Sequence, residues 1–318
     1  MRYYDLTLTP IGSTTPLRTF TSYPNGVYDP GALNIEFDMP VLPYGTPGGG
    51  QTLSIHGISL QDLTQAQQFA GMNITLKAGM KAGLPLVTPS QLGTIIAGNV
   101  FQSFGNWEGT DMTLDFVLNP AIYTSSNPGN FMLIWPKGER LQDALLHCLQ
   151  VPYPDMDISI NISPDLVNNY DINHPCTTLE QLAQFIGDMT EQQFNGNRVE
   201  ITIQAGKIIA YDATYAPNPV QLVFTDFVGQ PTWIEPAVIQ VKTVMRADLQ
   251  VGSRITMPKG FQNLPGFVST TAASTPSSLK YKSTFDTNFI VSELRQLGNF
   301  RSNDASDWVT IFNCIPYG

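Results

Sequence analysis

With 318 residues, the chain is too long for one small core and long enough for two or three domains. Charged residues make up only 13%, about half the share in an ordinary soluble domain; Asn, Gln, Ser, Thr, Gly and Pro fill the balance, as suits a surface largely occupied by neighbours. The formal charge of −10, with only 16 basic residues and no basic stripe, excludes ordinary nucleic-acid binding through neutralised phosphates.

In chain order, residues 1–58 predict short strands broken by turns, since "YDLTLTPIG" and "LNIEFDMPV" alternate apolar and polar residues. The opening "MRYYDLTLTP" lacks the basic-then-apolar build of a signal peptide. The loop "YGTPGGGQ" (Tyr44–Gln51) is glycine-rich, but no Gly-Lys-Ser/Thr follows, so no phosphate loop is expected. "SLQDLTQAQQFAG" predicts a helix with Ser59 as N-cap, Leu60, Leu63, Ala66 and Ala70 on one face, and Gly71 past its end. A strand, "MNITLKAG", follows, then a β-hairpin from Ile95 to Pro120 with its polar loop at Asn106–Asp111.

After Pro120 the character changes. "TSSNPGN" (Thr124–Asn130) is a linker, followed by a helix at "GERLQDALLHCLQ", a strand at "MDISINIS" and a helix at "TTLEQLAQFIGDM". Thr177 and Glu180 are placed for a capping box, with Leu179, Leu182, Ile186 and Met189 on one buried face. From "NRVEITIQAGKIIAYDATY" onward the chain returns to alternating strands, expected to open a last β domain. "VSTTAASTPSSLKYKST" (Val268–Thr284) predicts a mobile loop or an arm ordered by a partner. No stretch reaches the ~18 consecutive apolar residues of a membrane span, so no stable membrane insertion is expected.

Two stretches have earlier counterparts. "LKAGMKAGLPLV" (Leu76–Val87) matches "MRADLQVGSRIT" (Met245–Thr256), and "SFGNWEGTD" (Ser103–Asp111) matches "QLGNFRSND" (Gln296–Asp304). The matches are collinear, with one insertion between them, which predicts a duplicated β domain. Gly83 and Gly252 suit turns with positive φ, and Asn106 and Asn299 suit the hairpin tips.

Residues with chemistry are sparse. His147-Cys148 and His174…Cys176 lack metal-ligand spacing, since adjacent helical residues point about 100° apart; Cys148 falls on its helix's apolar face, and three widely spaced cysteines suggest no disulfide framework. Asp171 near His174 predicts a loop hydrogen bond. Asp155 and Asp157 share a strand face, the one pairing that keeps a carbohydrate-binding or glycan-hydrolysing reading open; Glu108 and Asp111 are a second carboxylate pair. Trp107 and its counterpart Phe300, with Trp135, Trp233 and Trp308, are interface candidates for which a core role is preferred. Catalytic, cofactor-binding and metal residues are therefore set at none. The polar stretch "KTVMRADLQVGSRITMP" has Arg246 and Asp248 as turn or subunit-boundary groups.

Phe224–Pro258 resembles the hub proteins of phage tail baseplates, in a Gly-x-Pro segment, a strand and a turn of the type R-x-D-L-x-x-G-x-x-I. "MNITLKAGMKAGLPL…IIAGNVFQSFGNWEG" resembles the first barrel of that family, and "WPKGERLQDALLHCL" the segment between barrels. The resemblance spans most of residues 50–316 and rests on glycines, prolines and apolar pattern. It implies a mainly β chain with two tail-tube-like antiparallel β-barrels, at 1–122 and 197–318, flanking a small α/β domain at 123–196. It further implies a non-enzymatic virion protein, made in the bacterial host cytoplasm and needing no cofactor. As a homotrimer it would form a pseudo-sixfold ring joining the tail tube, or a tube-initiating protein, to a central spike. Other baseplate proteins and the tape-measure protein would be partners, and DNA would pass without specific binding. The alternative within assembly is a tube-terminating or distal tail protein. An acidic channel wall, repelling DNA, is expected.

Overall fold

The alternating apolar residues near the N-terminus become strands with one buried face each. In the computed structural model, which describes residues 1–41, 43, 51–81, 91–119, 131–154, 156–213, 219–258 and 288–317, seven strands build the first half. They are β1 (Arg2–Thr9), β2 (Arg18–Thr21), β3 (Asn34–Val41), β4 (Gln51–His56), β5 (Asn73–Met80), β6 (Gly93–Glu108) and β7 (Asp111–Asn119). Their order is β3-β4-β7-β6-β5-β1-β2, and every pairing is antiparallel. Tyr4 and Leu6 of β1, Phe37 of β3, Ile55 of β4, Leu76 of β5 and Phe116 of β7 meet in one core. The inner faces converge because the sheet curls around them.

The predicted helix at Ser59 starts as expected and ends early. Ser59 Oγ accepts from the Asp62 N–H at 3.1 Å and donates to its carboxylate. The α-helix α1 covers only Leu60–Thr64, and a 3₁₀ turn, Ala66–Phe69, completes the segment. Leu60 is exposed, while Ala66 and Phe69 carry the burial. The tighter turn rotates the apolar stripe away from the face predicted at 3.6 residues per turn.

The intervening unit contains β8 (Phe131–Trp135), α2 (Leu141–Gln150), β9 (Asp157–Asn161), β10 (Ile172–Cys176) and α3 (Leu179–Gln193). The cap of α3 lies one residue later than predicted. Thr178 Oγ1 accepts from the Gln181 N–H, and Gln181 Oε1 accepts from the Thr177 N–H at 3.0 Å. Leu179, Leu182, Ile186 and Met189 are buried together, as their spacing requires.

The expected boundary at residue 196 does not match the sheet. β11 (Glu200–Gln204) and β12 (Lys207–Tyr211), assigned above to the last β domain, form a hairpin whose second strand pairs in parallel with β9. Ile201, Ile203, Ile208 and Ala210 join the core of the α/β unit, while Ile209 and Tyr211 face the core of the C-terminal half. β12 (KIIAY) is covered on both sides, which explains its continuous apolar run, whereas in β11 (EITIQ) buried Thr202 and Gln204 alternate with Ile201 and Ile203.

The C-terminal half contains β13 (Val220–Gln221), β14 (Thr232–Glu235), β15 (Val238–Val244), β16 (Arg254–Thr256), β17 (Asn288–Asn299) and β18 (Trp308–Tyr317). Its path β14-β15-β18-β17, with β16 beyond, repeats β3-β4-β7-β6-β5 strand for strand. The two copies meet on β17. One edge of β17 pairs with β18; the other pairs with β16 at residues 288–290 and with β3 at 294–299. The halves are thus one continuous sheet.

The second sequence echo therefore marks equivalent strands, β6 with β17, but through close approach and not through the hairpin tip. A Cβ on Gly105 would lie 2.6 Å from the Leu63 carbonyl oxygen, and one on Gly298 would lie 2.2 Å from the Phe37 ring. Asn106 and Asn299 sit inside their strands, donating to Asp115 and Glu36; the β6–β7 turn uses Gly109, at φ 62°. The first echo is out of register. Leu76–Met80 lies within β5, whereas Met245–Leu249 precedes β16; its remaining residues 82–87, including Gly83, lie outside the described residues. So do Tyr44–Gly50, Thr124–Asn130 and Val268–Thr284. Gly298→Ala should lower the stability by about 1–3 kcal/mol in urea unfolding, because Phe37 must leave its rotamer, and Gly105→Ala should do the same against backbone.

Candidate functional site at the junction

The polar stretch after β15 folds into the interior. Arg246 is 2% exposed and Asp226 4%. The Arg246 guanidinium forms a fork with Asp248, both bonds 2.7 Å, and reaches Asp226 at 3.2 Å. Burial pulls its pKa down, but hydrogen bonds and charge from Asp248 and Asp226 outweigh this and leave it raised. Arg246 is therefore no subunit-boundary group; it is an interior cation held by two carboxylates.

The bonds around it tie the two halves together. The Gln91 side chain, just ahead of β6, donates to Asp226 at 2.8 Å, and its carbonyl accepts from the Ala247 N–H at 2.8 Å. Gln296 on β17 donates to the Arg246 carbonyl at 3.1 Å, and Thr310 on β18 accepts from the Arg246 N–H at 3.0 Å. Trp308 donates to the Gly79 carbonyl at 3.0 Å, and Phe300 stacks edge-on against Tyr4 at 4.8 Å. Arg2 donates to the carbonyls of Asn299 and Ser302 at 2.6 and 2.5 Å, tying β1 to the loop after β17.

Further along the same stretch, Gly252 has φ 85°, and a Cβ there would lie 2.5 Å from the Tyr211 ring. Gln204 of β11 donates to the Leu249 carbonyl and accepts from the Val251 N–H. The positive φ expected at Gly252 is present. Its close approach to the α/β unit has no signature in a single sequence.

The other candidates disperse. Asp171 accepts from the Lys137 N–H at 2.8 Å, while His174 stacks on Phe185 at 3.8 Å. Asp157 pairs with Lys207 at 2.5 Å on the surface; Asp155 lies outside the described residues. Glu108 and Asp111 flank the β6–β7 turn, where Asp111 lies 3.5 Å from His56. Cys148 and Cys176 share the core of the α/β unit, and Cys314 that of the C-terminal half. Burial, followed by the proximity of Cys176, pushes the Cys148 thiol up to about 12. Trp135 and Trp308 are buried, as preferred, whereas Trp107 is 62% exposed and Trp233 38%. Among the described residues, no group of three His, Cys, Asp or Glu is placed to hold a metal ion, and no helix is long and apolar enough to cross a membrane.

The outer face of the sheet carries a feature that sequence reading did not place. Strand alternation puts Glu36, Asp38, Asp115 and Glu293 on the face turned away from both cores, with Arg295 and Lys242. Asn299, Glu36, Ser54, Asp115 and Phe104 form one cross-strand row over five strands. A hollow of about 320 Å³ lies at the Asn299–Glu36–Ser54 end of this row, beside Asp38, Thr52 and Asp307.

No protein-family model matches the chain, and no curated protein does. Two solved structures share its fold over nearly its full length. A tail protein from Neisseria meningitidis superposes with TM-score 0.52 at 9% identity, covering 99% of this chain and 96% of that one. The 43 kDa tail protein of prophage MuSo2 from Shewanella oneidensis gives 0.51 at 9% identity, covering 99% and 97%. The chain is mainly β and has the fold of these tail proteins.

Arg246→Met should cost about 3–5 kcal/mol of unfolding free energy, since it leaves the Asp226 carboxylate buried without its counter-ion. Arg246→Met combined with Asp226→Asn should recover part of the loss; chemical denaturation of both variants checks this. At pH 8 a thiol near 12 is thiolate in about one molecule in ten thousand. Burial raises the Cys176 and Cys314 thiols as well, and all three cysteines are at most 5% exposed, so an aromatic disulfide reagent should leave them unreacted in the native protein and label them in urea.

Proposed function

We propose that the chain is a non-enzymatic structural protein of a tailed-phage virion, the baseplate hub that joins a sixfold tail tube to a threefold spike. The observation that carries this reading is the repeated strand order on one continuous sheet. A chain with two equivalent halves presents two similar surfaces, so three copies offer six to a tube above and three-chain symmetry to a spike below. The tail proteins that share the fold and the sequence resemblance to hub proteins support it. The low overall charge suits a surface covered by neighbours.

The outer face supports a role for the sheet as the channel wall. With Asp38 paired to Arg295 and Asp5 opposite Lys77, Glu36, Asp115 and Glu293 still outnumber Lys242 there. Such a face repels phosphate and gives passing DNA no adhesive stripe. Quantitative mass spectrometry of purified tails should find three copies of this chain per particle. Six copies would assign it to the tube end, and its absence from tails would overturn the virion reading.

A further inference from the structure

The repeat in strand order leaves one junction unfilled. On β17, the edge opposite β18 is shared: residues 288–290 pair with β16, and residues 294–299 pair with β3 of the other half. On β6, the equivalent strand, the edge opposite β7 pairs with β5 only at residues 93–99. Among the described residues, no strand pairs with Phe101–Glu108 on that side. The counterpart of β3 in the C-terminal half is β14, the last strand on the sheet path. What β3 does for β17 within the chain, β14 is therefore positioned to do for β6 between chains.

We infer that β14 of one copy pairs with the Phe101–Glu108 edge of β6 in the next copy, repeating the β3–β17 junction and closing a head-to-tail ring. This rests on the ring reading above and names its contact surface. The composition of both edges agrees. A strand edge that stays free is ordinarily guarded by Lys, Pro or inward-pointing charge, yet "FQSFGNW" from Phe101 to Trp107 contains none. Phe101, Phe104 and Trp107 are 65%, 48% and 62% exposed, and Ile234 on β14 is 46% exposed. Exposed aromatics beside unguarded backbone suit a partner that supplies both hydrogen bonds and apolar cover. The occupant is a second copy, because its edge is the one for which the β17 precedent exists.

The test uses the full chain and sedimentation velocity. Variant one carries Phe101→Lys, Phe104→Lys and Trp107→Glu, which spoils the β6 edge. Variant two carries Ile234→Lys, which spoils the β14 edge. The four substituted positions lie outside the three cores, and far-ultraviolet circular dichroism with thermal melts checks that both variants fold. The wild type should sediment as a closed trimer and each variant as a monomer. An equimolar mixture should give a one-to-one dimer, since only one intact junction remains between them. Variants that assemble like the wild type, or a mixture that stays monomeric, would overturn the edge assignment while leaving the ring reading standing. A wild type that remains monomeric at high concentration would remove the ring reading and the edge with it.

Discussion

A buried arginine organises this molecule. The Arg246 guanidinium has five donors in a rigid fork, and the interior satisfies it with Asp248 and Asp226 while its backbone is held by Gln296 and Thr310. A buried ion pair is weak evidence for stability, because desolvation offsets most of its attraction. Its value lies in geometry. The fork accepts its carboxylates in few orientations, so the segment after β15, the turn at Phe224–Asp226 and the start of β6 are held in one mutual arrangement. The junction at β17 inherits that arrangement.

From there the design runs outward. β17 touches one copy of the repeat through β16 and the other through β3, so register on this strand sets the register of both halves. A slip of one residue would turn Leu294 and Gln296 out of the interior and bring Arg295 in. Gly298 enforces the choice, since only a residue without Cβ lets the Phe37 ring lie against the strand. The α/β unit is fixed in the same way, by Tyr211 over Gly252 and by Gln204 bonding on both sides of Val251.

Much of this was legible in the sequence, within definite limits. Alternation located the strands, because period two follows from the pleat. It could not name their partners, so the Glu200–Tyr211 hairpin was placed in the wrong sheet: a strand covered on both faces looks alike wherever it pairs. The Gly-Asn-aromatic echo found the β6 and β17 equivalence, although the glycines serve close packing and the asparagines do not form turns. Trp107 and Phe300 occupy matching places with opposite exposure, because one copy's hairpin is covered within the chain and the other's is not. Arg246 was conspicuous as a charge, but nothing local announced its burial; both acids are needed, and Asp226 is 20 residues away.

The N-terminal core includes Met245, Phe300 and Trp308 among its buried members. The two repeats are thus not two beads that finish separately. During synthesis, β1 through β7 emerge long before the residues that fill their interior, and every contact between Tyr4 and Phe300 must close a loop spanning almost the whole chain. Such closure is slow and costs entropy before it is rewarded. The interior of the first half is therefore complete only once Phe300 and Trp308, among the last residues synthesised, have joined it.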